Sequence, residues 1–306
     1  MKILVTGGAG FIGSHLTDAL LSAGHEVTVL DNLSSGNKDF ISPHAEYIQE
    51  DIRNPDIEKL FLSHHFDAVF HEAAQTLVPV SIENPPLDAE ENIMGLLNVL
   101  EGCRKSHVGK VIFSSSAAVY GDNKALPLCE DEIPDPTSFY GLTKWMTERY
   151  LALYSRLFHF SYTVLRYSNV YGPRQGSHGE GGVIYIFAKA LAEKRPMIIF
   201  GDGTQTRDFI SVHDVVSANL AALTQGSGAV VNICTQEETS LNDLTRMMSE
   251  ITGSSQPVSR SAPREGDIYR SCLSREKASA LLHWAPSVSL LHGLQETCEY
   301  FQKTHL

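Results

Sequence analysis

The chain has few of the features that would mark it as a secreted or membrane protein. Its five cysteines are odd in number and form no C-x-x-C pair, which argues against a disulfide framework. No apolar run approaches the roughly 20 residues that a membrane-spanning helix needs. The start, Met1 to Gly7, runs directly into a predicted strand and a glycine turn and does not match a signal peptide. We therefore expect a cytoplasmic protein with no membrane partner.

Basic residues are also scarce, with 24 lysines and arginines against 36 aspartates and glutamates and a formal net charge of −12. An acidic chain is a poor match for nucleic acid, so any bound phosphate would have to be held by local arginines and backbone amides. The 13 histidines show no H-E-x-x-H or other ligand spacing, and we expect no metal site. The 306 residues, 42% of them hydrophobic, suffice for one large or two moderate domains.

What the chain does contain, from its first residues, is the pattern of a dinucleotide-binding unit. Residues 3–5 predict a buried strand, a G-x-x-G-x-x-G turn follows at Gly7, Gly10 and Gly13, and residues 11–23 have helical periodicity. The glycines allow a tight turn and a close approach of a pyrophosphate, and the helix N-terminus favours its negative charge. An ordinary glycine-rich turn is the alternative, but the flanking strand and helix favour a nucleotide site.

Strands and helices then alternate along the first half of the chain. The predicted strands are 26–30, 45–49, 68–71, 110–113 and 162–166, and the predicted long helices are 86–105 and 137–157. This alternation predicts an α/β fold with a doubly wound parallel (Rossmann) sheet, whose ligands bind beyond the carboxyl ends of the strands. We expect a cofactor domain at 1–168, to which 211–235 return, and a smaller mixed α/β substrate domain at 169–306.

Two positions in this pattern predict the cofactor and the chemistry. Asp31 follows the second predicted strand, where a carboxylate accepts hydrogen bonds from both adenosine ribose hydroxyls and repels a 2′-phosphate, which favours NAD over NADP. Tyr140 and Lys144 are four apart on a predicted helix and therefore share one face. A phenol has a pKa of about 10 in water, and an adjacent ammonium lowers it, so the pair is a candidate base for an alcohol.

The motifs together resemble those of a known family. They are Gly7-x-x-Gly10-x-x-Gly13, Asp31-Asn32-Leu33, Asp51-Ile52, Ser114-Ser115-Ser116-Ala117-Ala118-Val119-Tyr120-Gly121, Tyr140-x-x-x-Lys144, residues 166–174, residues 201–210 and Pro263-Arg264-Glu265-Gly266-Asp267. In this order they resemble the extended short-chain dehydrogenase/reductase family over essentially the whole chain. Within that family the chain looks most like the NAD-dependent UDP-glucose (UDP-galactose) 4-epimerases.

That resemblance implies roles for individual residues. Ser116 would bond the reacting oxygen of the substrate, Tyr140 would be the base, and Lys144 would bond the nicotinamide ribose. The residues implied for NAD binding are Gly7, Gly10, Phe11, Ile12, Gly13, Asp31, Asn32, Ser35, Gly36, Asp51, Ile52, Ala73, Ala74, Gln75, Asn92, Ser114, Tyr140 and Lys144. The residues implied for UDP-sugar binding are Thr76, Ser115, Ser116, Tyr140, Asn169, Val183, Ile198, Phe200, Arg207, Arg264, Asp267 and Ser271.

Within the substrate set, Arg207 and Arg264 are the candidates for the diphosphate, because guanidinium matches phosphate geometry. A surface ion pair is the alternative for Arg264. The resemblance adds Asn169 at the diphosphate, Asp267 at the nucleotide ribose, and an apolar set against the uracil. That set is Val183, Ile198 and Phe200.

The two residues after Ser116 favour C4 epimerisation over the other reactions that related enzymes catalyse. Related 4,6-dehydratases carry an Asp-Glu pair there, whereas this chain has Ala117 and Ala118, which cannot transfer protons. Oxidation at C4 can then be followed only by hydride return to a transient 4-keto sugar, which is C4 epimerisation. In the family that the chain resembles, the residue four past the Asp267 position lies against the 2-substituent of the sugar, and the small Ser271 there implies that N-acetylated UDP-hexoses are also accepted.

Two alternatives stay open at this point. One is an epimerase or reductase of another nucleotide sugar, such as UDP-glucuronate or a dTDP-sugar. The other is a non-catalytic NAD-sensing protein on the same fold, although such proteins typically lose the tyrosine or the lysine. By analogy with the family we also expect a homodimer formed through the predicted helices 86–105 and 137–157.

Overall fold

The computed structural model describes residues 1–176, 181–263 and 268–304. Its centre is a seven-stranded sheet of β1 Lys2–Thr6, β2 Glu26–Asp31, β3 Glu46–Gln49, β4 Ala68–His71, β5 Lys110–Ser116, β6 Ser161–Tyr167 and β10 Ala229–Ile233. The strand order is β10-β6-β5-β4-β1-β2-β3, and every neighbouring pair is parallel. The predicted doubly wound parallel sheet is confirmed.

Helices cover both faces of this sheet. They are α1 Phe11–Ser22, α2 Glu58–His64, α3 Val78–Glu83, α4 Pro85–Ala89, α5 Gly95–Ser106, α6 Phe139–Phe158 and α8 Val212–Thr224. On one face, α1 and α8 close a core that includes Leu16 and Val215. On the other face, α2, α5 and α6 close a core that includes Phe61 and Leu151. The strands are apolar on both faces, as expected for a sheet buried on both sides.

The described part of the second half of the chain adds two smaller sheets and four more helices. β7 Asn169–Tyr171, β9 Thr206–Ser211 and β11 Glu238–Ser240 form a three-stranded sheet, and β8 Ile198–Phe200 pairs with β12 Ser259–Ser261. The helices are α7 Val183–Ala192, α9 Leu241–Thr252, α10 Glu276–Leu282 and α11 Leu290–Thr304. α7, α9 and α11 pack around a core that includes Phe187, Met248 and Leu294. The domain division at residue 168 stays a prediction.

Two predicted elements differ from the structure. β5 does not end at residue 113 but continues to Ser116, because residues 114–116 pair with 165–167 of β6. The predicted helix 86–105 is not one α-helix: a π-helical turn, Glu90–Met94, separates α4 from α5. Such turns hold one extra residue and often occur at functional sites. Among the described residues, none of the helices is both long and apolar enough to cross a bilayer.

Candidate active site

The predicted glycine turn lies between β1 and α1, at the carboxyl end of the sheet. Gly7 has φ +70, a conformation that side chains disfavour. A Cβ on Gly13 would lie 2.2 Å from the carbonyl oxygen of Gly7, so only glycine lets the first turn of α1 approach this closely. The turn therefore leaves backbone amides and the start of α1 open to a pyrophosphate.

Asp31 ends β2 beside this turn and is largely buried. Its two carboxylate oxygens accept hydrogen bonds from the backbone amides of Ala9, at 3.0 Å, and Leu33, at 2.8 Å. Burial raises the pKa of Asp31, and the two amide bonds oppose that rise. The carboxylate thus braces the glycine turn from the position where an adenosine ribose is expected.

A small cavity of about 70 Å³ opens next to Asp31. Of the predicted NAD residues, those that line it are Gly7, Asp31, Asn32, Ser35, Asp51, Ile52, Ala73 and Ala74. Both carboxylate oxygens of Asp51 accept hydrogen bonds from the Arg53 guanidinium, and Asp51 also accepts one from Asn32 at 3.0 Å. The Arg53 guanidinium keeps the pKa of Asp51 well below its usual range. The predicted adenosine end is therefore polar, tight and preorganised.

The three predicted catalytic residues lie near the carboxyl end of β5, on the opposite side of β1 from Asp31. Ser116 is the last residue of β5, and Tyr140 lies in the first turn of α6; both line a cleft of about 450 Å³. The buried Lys144 donates to the carbonyl oxygen of Ser114 at 2.8 Å, and its Nζ is 5.9 Å from the ring centroid of Tyr140. A serine and a tyrosine thus share the wall of one cleft, and a buried ammonium lies behind the tyrosine ring.

The start of α6 is fixed by two local features. Ser138 caps the helix by accepting a hydrogen bond from the amide of Gly141 at 3.1 Å. A Cβ on Gly141 would lie 2.5 Å from the carbonyl oxygen of Ala118. Because Gly141 has no side chain, the first turn of α6 can lie against the 3₁₀ turn Ala117–Tyr120, which brings Tyr140 next to Ser116.

Behind these residues lies a buried ion pair that the sequence analysis did not identify. Glu148 accepts from Arg166 Nε at 2.9 Å and from Arg166 Nη2 at 2.6 Å, and it also accepts from the hydroxyl of Ser115 at 2.5 Å. Arg166 in turn donates to the hydroxyl of Tyr120 at 2.9 Å. The ion pair locks α6 against β5 and β6. The hydroxyl of Ser115 therefore donates to Glu148, although the residue also lines the cleft.

The comparisons with known proteins agree with this geometry. A model of the NAD dependent epimerase/dehydratase family matches residues 3–234. The chain belongs to that family. This confirms the predicted resemblance and, at the level of the family, the predicted NAD cofactor.

Full-length relatives extend the match to the rest of this epimerase/dehydratase chain. A crystal structure of UDP-glucose 4-epimerase with UDP-glucose from Thermotoga maritima is 46% identical, covers 99% of both chains and has a TM-score of 0.97. UDP-glucose 4-epimerase of Thermus thermophilus in complex with NAD is 38% identical over 99% of both chains, with a TM-score of 0.94. The UDP-glucose 4-epimerase of Mycolicibacterium smegmatis is 40% identical over 99% of both chains.

The remaining predicted NAD residues surround the two cavities. Phe11 and Ile12 line the larger cleft, and Gly10 and Gly36 belong to the backbone next to Ala9. Gln75 and Asn92 pair with each other through the Gln75 backbone, at 2.9 and 3.0 Å, and the Gln75 side chain bonds Asp88 and the amide of Leu77. Their roles toward NAD stay predictions.

Of the predicted substrate residues that the structure describes, some line the cleft and others do not. Thr76, Asn169 and Val183 line the cleft together with Ser116 and Tyr140. The wall of this cleft does not include Ile198, Phe200, Arg207 or Ser271. Arg207 is two residues before Phe209 on β9, and Phe209 lines the cleft, so both side chains leave the same face of the strand. Arg264 and Asp267 lie outside the described residues.

Titratable side chains close to Lys144 are strongly affected by burial. Desolvation lowers the pKa of His71, the last residue of β4, to about 3, so this histidine is neutral. Desolvation raises the pKa of the neighbouring Glu72 to about 7, while Ser114 and Lys144 oppose the rise. Among the residues that the structure describes, no three His, Cys, Asp or Glu side chains form a group that could hold a metal ion.

Proposed function

We propose that the protein inverts C4 of a UDP-hexose, interconverting UDP-glucose and UDP-galactose, with NAD as its bound cofactor. The single observation that carries the proposal is a cleft whose wall holds Ser116 and Tyr140 together with the start of α1, with the buried Lys144 ammonium 5.9 Å from the centre of the Tyr140 ring. The full-length relatives named UDP-glucose 4-epimerase support the choice of substrate.

The residues present fit NAD. Because Gly13 has no side chain, the start of α1 lies directly against the glycine turn, where its amides would meet a pyrophosphate, and Asp31 ends β2 where a carboxylate would meet the ribose hydroxyls. When bound, NAD supplies the acceptor and donor of a hydride at the sugar carbon. The protein must then hold the sugar and move one proton.

The proton is moved by the tyrosine and the serine. Tyr140, beside or through the hydroxyl of Ser116, takes the proton from the 4-hydroxyl of the sugar and later returns it. To accept a proton Tyr140 must be a phenolate, and Lys144 stabilises that phenolate because its ammonium is buried close to the ring. The carbonyl oxygen of Ser114 fixes that ammonium, so the charge is in place before the reaction begins.

The residues after Ser116 exclude the competing eliminations. Ala117 and Ala118 form the 3₁₀ turn that follows the catalytic serine, and neither can remove a proton from C5 or protonate a leaving group. Once C4 is oxidised, the sugar can only be reduced again. Rotation of the 4-keto sugar within the open cleft, while the nucleotide stays bound, presents its opposite face and inverts C4.

The nucleotide end of the substrate is assigned to the second half of the chain. Asn169 on β7 and Val183 at the start of α7 line the cleft, and Arg207 shares a strand face with Phe209. We assign the diphosphate to Asn169 and Arg207, with Val183 against the uracil. We also propose that N-acetylated UDP-hexoses are accepted, on the small size of Ser271 alone, since the wall of the cleft does not include this residue.

We also propose that the protein is a cytoplasmic homodimer. All five cysteines are free thiols, which fits a reducing compartment. One face of α6 presents apolar side chains that are between 37% and 57% exposed: Phe139, Leu142, Met146, Leu153 and Leu157. They recur every three or four residues, or at multiples of that spacing, which is the pattern of a helix face that packs on another helix. Sedimentation analysis of the protein and of Leu153→Glu tests the dimer.

The activity is tested by incubating the protein with UDP-glucose, UDP-galactose, UDP-N-acetylglucosamine, UDP-glucuronate and a dTDP-hexose, and resolving C4 epimers. We expect conversion of UDP-glucose and UDP-galactose in both directions, without a net change in NADH. Conversion of UDP-glucuronate or the dTDP-hexose alone would reassign the substrate. Bound NAD without turnover of any of these sugars would indicate a non-catalytic protein.

A further inference from the structure

Asp88, in α4, is a fully buried carboxylate outside the predicted site. Its Oδ1 accepts hydrogen bonds from Gln75 Nε2 at 2.7 Å and Asn92 Nδ2 at 3.2 Å, and its Oδ2 accepts from Thr143 Oγ1 at 2.8 Å. All three donors belong to buried residues. Hydrogen bonds to an ionised carboxylate are about twice as strong as neutral ones, so this cluster is a rigid junction.

Each donor belongs to a different segment of the active site. Thr143 lies between Tyr140 and Lys144 on α6. Gln75 lies in the loop between β4 and α3, and the residues that follow it, 76–79, line the substrate cleft. Asn92 lies in the π-helical turn and also bonds both the backbone of Gln75 and the hydroxyl of Thr143. Asp88 therefore joins the helix that carries the base to another wall of the same cleft.

The side chain of Gln75 shows how fully this junction fixes the loop. Its Nε2 donates to Asp88, and its Oε1 accepts from the amide of Leu77 at 2.5 Å. The loop is thus held at its start by backbone bonds to Asn92 and farther along by the Gln75 amide. Asp88 and Asn92, which hold this loop, also bond Thr143, so α4 and the π-helical turn join the loop to α6.

We propose that Asp88 is a positioning residue for the reaction, which sets the distance between the Tyr140–Lys144 turn and the 76–79 wall of the cleft. The proposal rests on the proposed epimerase function. A misplacement of about 1 Å between a catalytic group and its substrate can cost about a hundredfold in rate. Loss of Asp88 should therefore slow turnover more than it weakens binding.

The test compares Asp88→Asn with a variant that restores the bond. In Asp88→Asn, an amide nitrogen replaces one acceptor, so at least one of the three donors loses its partner. We expect kcat to fall about tenfold to a hundredfold, with KM for UDP-galactose changed less than about threefold. In the double variant Asp88→Asn with Gln75→Glu, the amide of residue 88 can donate to the new carboxylate, and kcat should recover at least half of the loss on a logarithmic scale.

Asp214→Asn is the matched control. Asp214 is also a buried carboxylate that accepts three hydrogen bonds, from the amide and hydroxyl of Ser287 and the amide of Val288, but it packs against the C-terminal part of the chain. This variant should lower the melting temperature and leave kcat unchanged.

Three results would overturn the role of Asp88: an unchanged kcat in Asp88→Asn, equal losses of kcat in the two aspartate variants, or a double variant no faster than the single. If the wild type and Asp214→Asn both lack turnover, the proposed function itself fails, and the role of Asp88 fails with it.

Discussion

Replacing Glu148 by glutamine should destabilise the fold by about 3–5 kcal/mol, because it removes one partner of a buried ion pair and leaves the other charge without compensation. The side chains of Glu148 and Arg166 are 4% and 5% exposed, so water cannot solvate the guanidinium that remains. The glutamine also turns an amide nitrogen toward a donor, either Arg166 or Ser115. Since whole domains are stable by about 5–15 kcal/mol, this is a large share of the total.

The assay is urea unfolding followed by circular dichroism, with NAD at one fixed concentration for all variants. The midpoint should fall with an unchanged slope if only stability is affected. Ser115→Ala, which removes one hydrogen bond to the same carboxylate, should cost about 1.5–3 kcal/mol. Replacing both Glu148 and Arg166 by methionine should cost less than Glu148→Gln, because no buried charge is left unpaired.

A matched control separates burial from ion pairing. Glu101 and Arg104 approach within 2.6 Å, the same distance as Arg166 and Glu148, but their side chains are 35% and 34% exposed. Glu101→Gln should therefore cost no more than about 1 kcal/mol. If Glu148→Gln cost as little as Glu101→Gln, the claim that burial makes the Glu148 ion pair indispensable would be refuted.

Three further predictions concern the site itself. Tyr140→Phe should keep NAD and UDP-sugar binding but lower kcat by about 10²- to 10⁴-fold in a coupled assay, and near-wild-type turnover would reject the tyrosine as base. Gly13→Ala should weaken NAD about tenfold to a hundredfold by calorimetry, since its Cβ would lie 2.2 Å from the Gly7 carbonyl oxygen; unchanged affinity would contradict the close approach. His71 has a folded pKa of about 3 and an unfolded pKa of about 6.5, so the unfolded chain binds the proton first and stability falls as the pH drops below 6.5. Between pH 7 and pH 5 that loss of stability is roughly 2 kcal/mol. In His71→Gln the free energy of unfolding, measured by urea titration at each pH, should fall by about 2 kcal/mol less over this range than in the wild type, and an equal fall in both would contradict the prediction.

The parts of the site that could be predicted from the sequence are those set by local patterns. The glycine spacing of the first turn and the Tyr140–Lys144 spacing each lie within a few residues of chain, and the structure places both where helix and turn geometry require. Asp31 was found because it ends a strand whose neighbours were also recognisable.

The parts that could not be predicted depend on contacts between distant segments. Asp88 meets Thr143 across 55 positions, and Ser115 meets Glu148 across 33, and neither pair has a local pattern that marks it. The π-helical turn 90–94 has helical periodicity on both sides, so it was indistinguishable from a continuous helix. The short strands of the second half hold three to six residues, too few for a period of two to stand out.

The two bonds that Asp31 accepts restrict how the cofactor preference of this enzyme could be altered. Exchanging the aspartate for a small neutral residue, to admit a phosphorylated ribose, would also leave the amides of Ala9 and Leu33 without their acceptor. The glycine turn between β1 and α1 would loosen in the same step. An engineer, or a lineage, seeking the phosphorylated dinucleotide would have to rebuild that support before the new preference could yield an active enzyme.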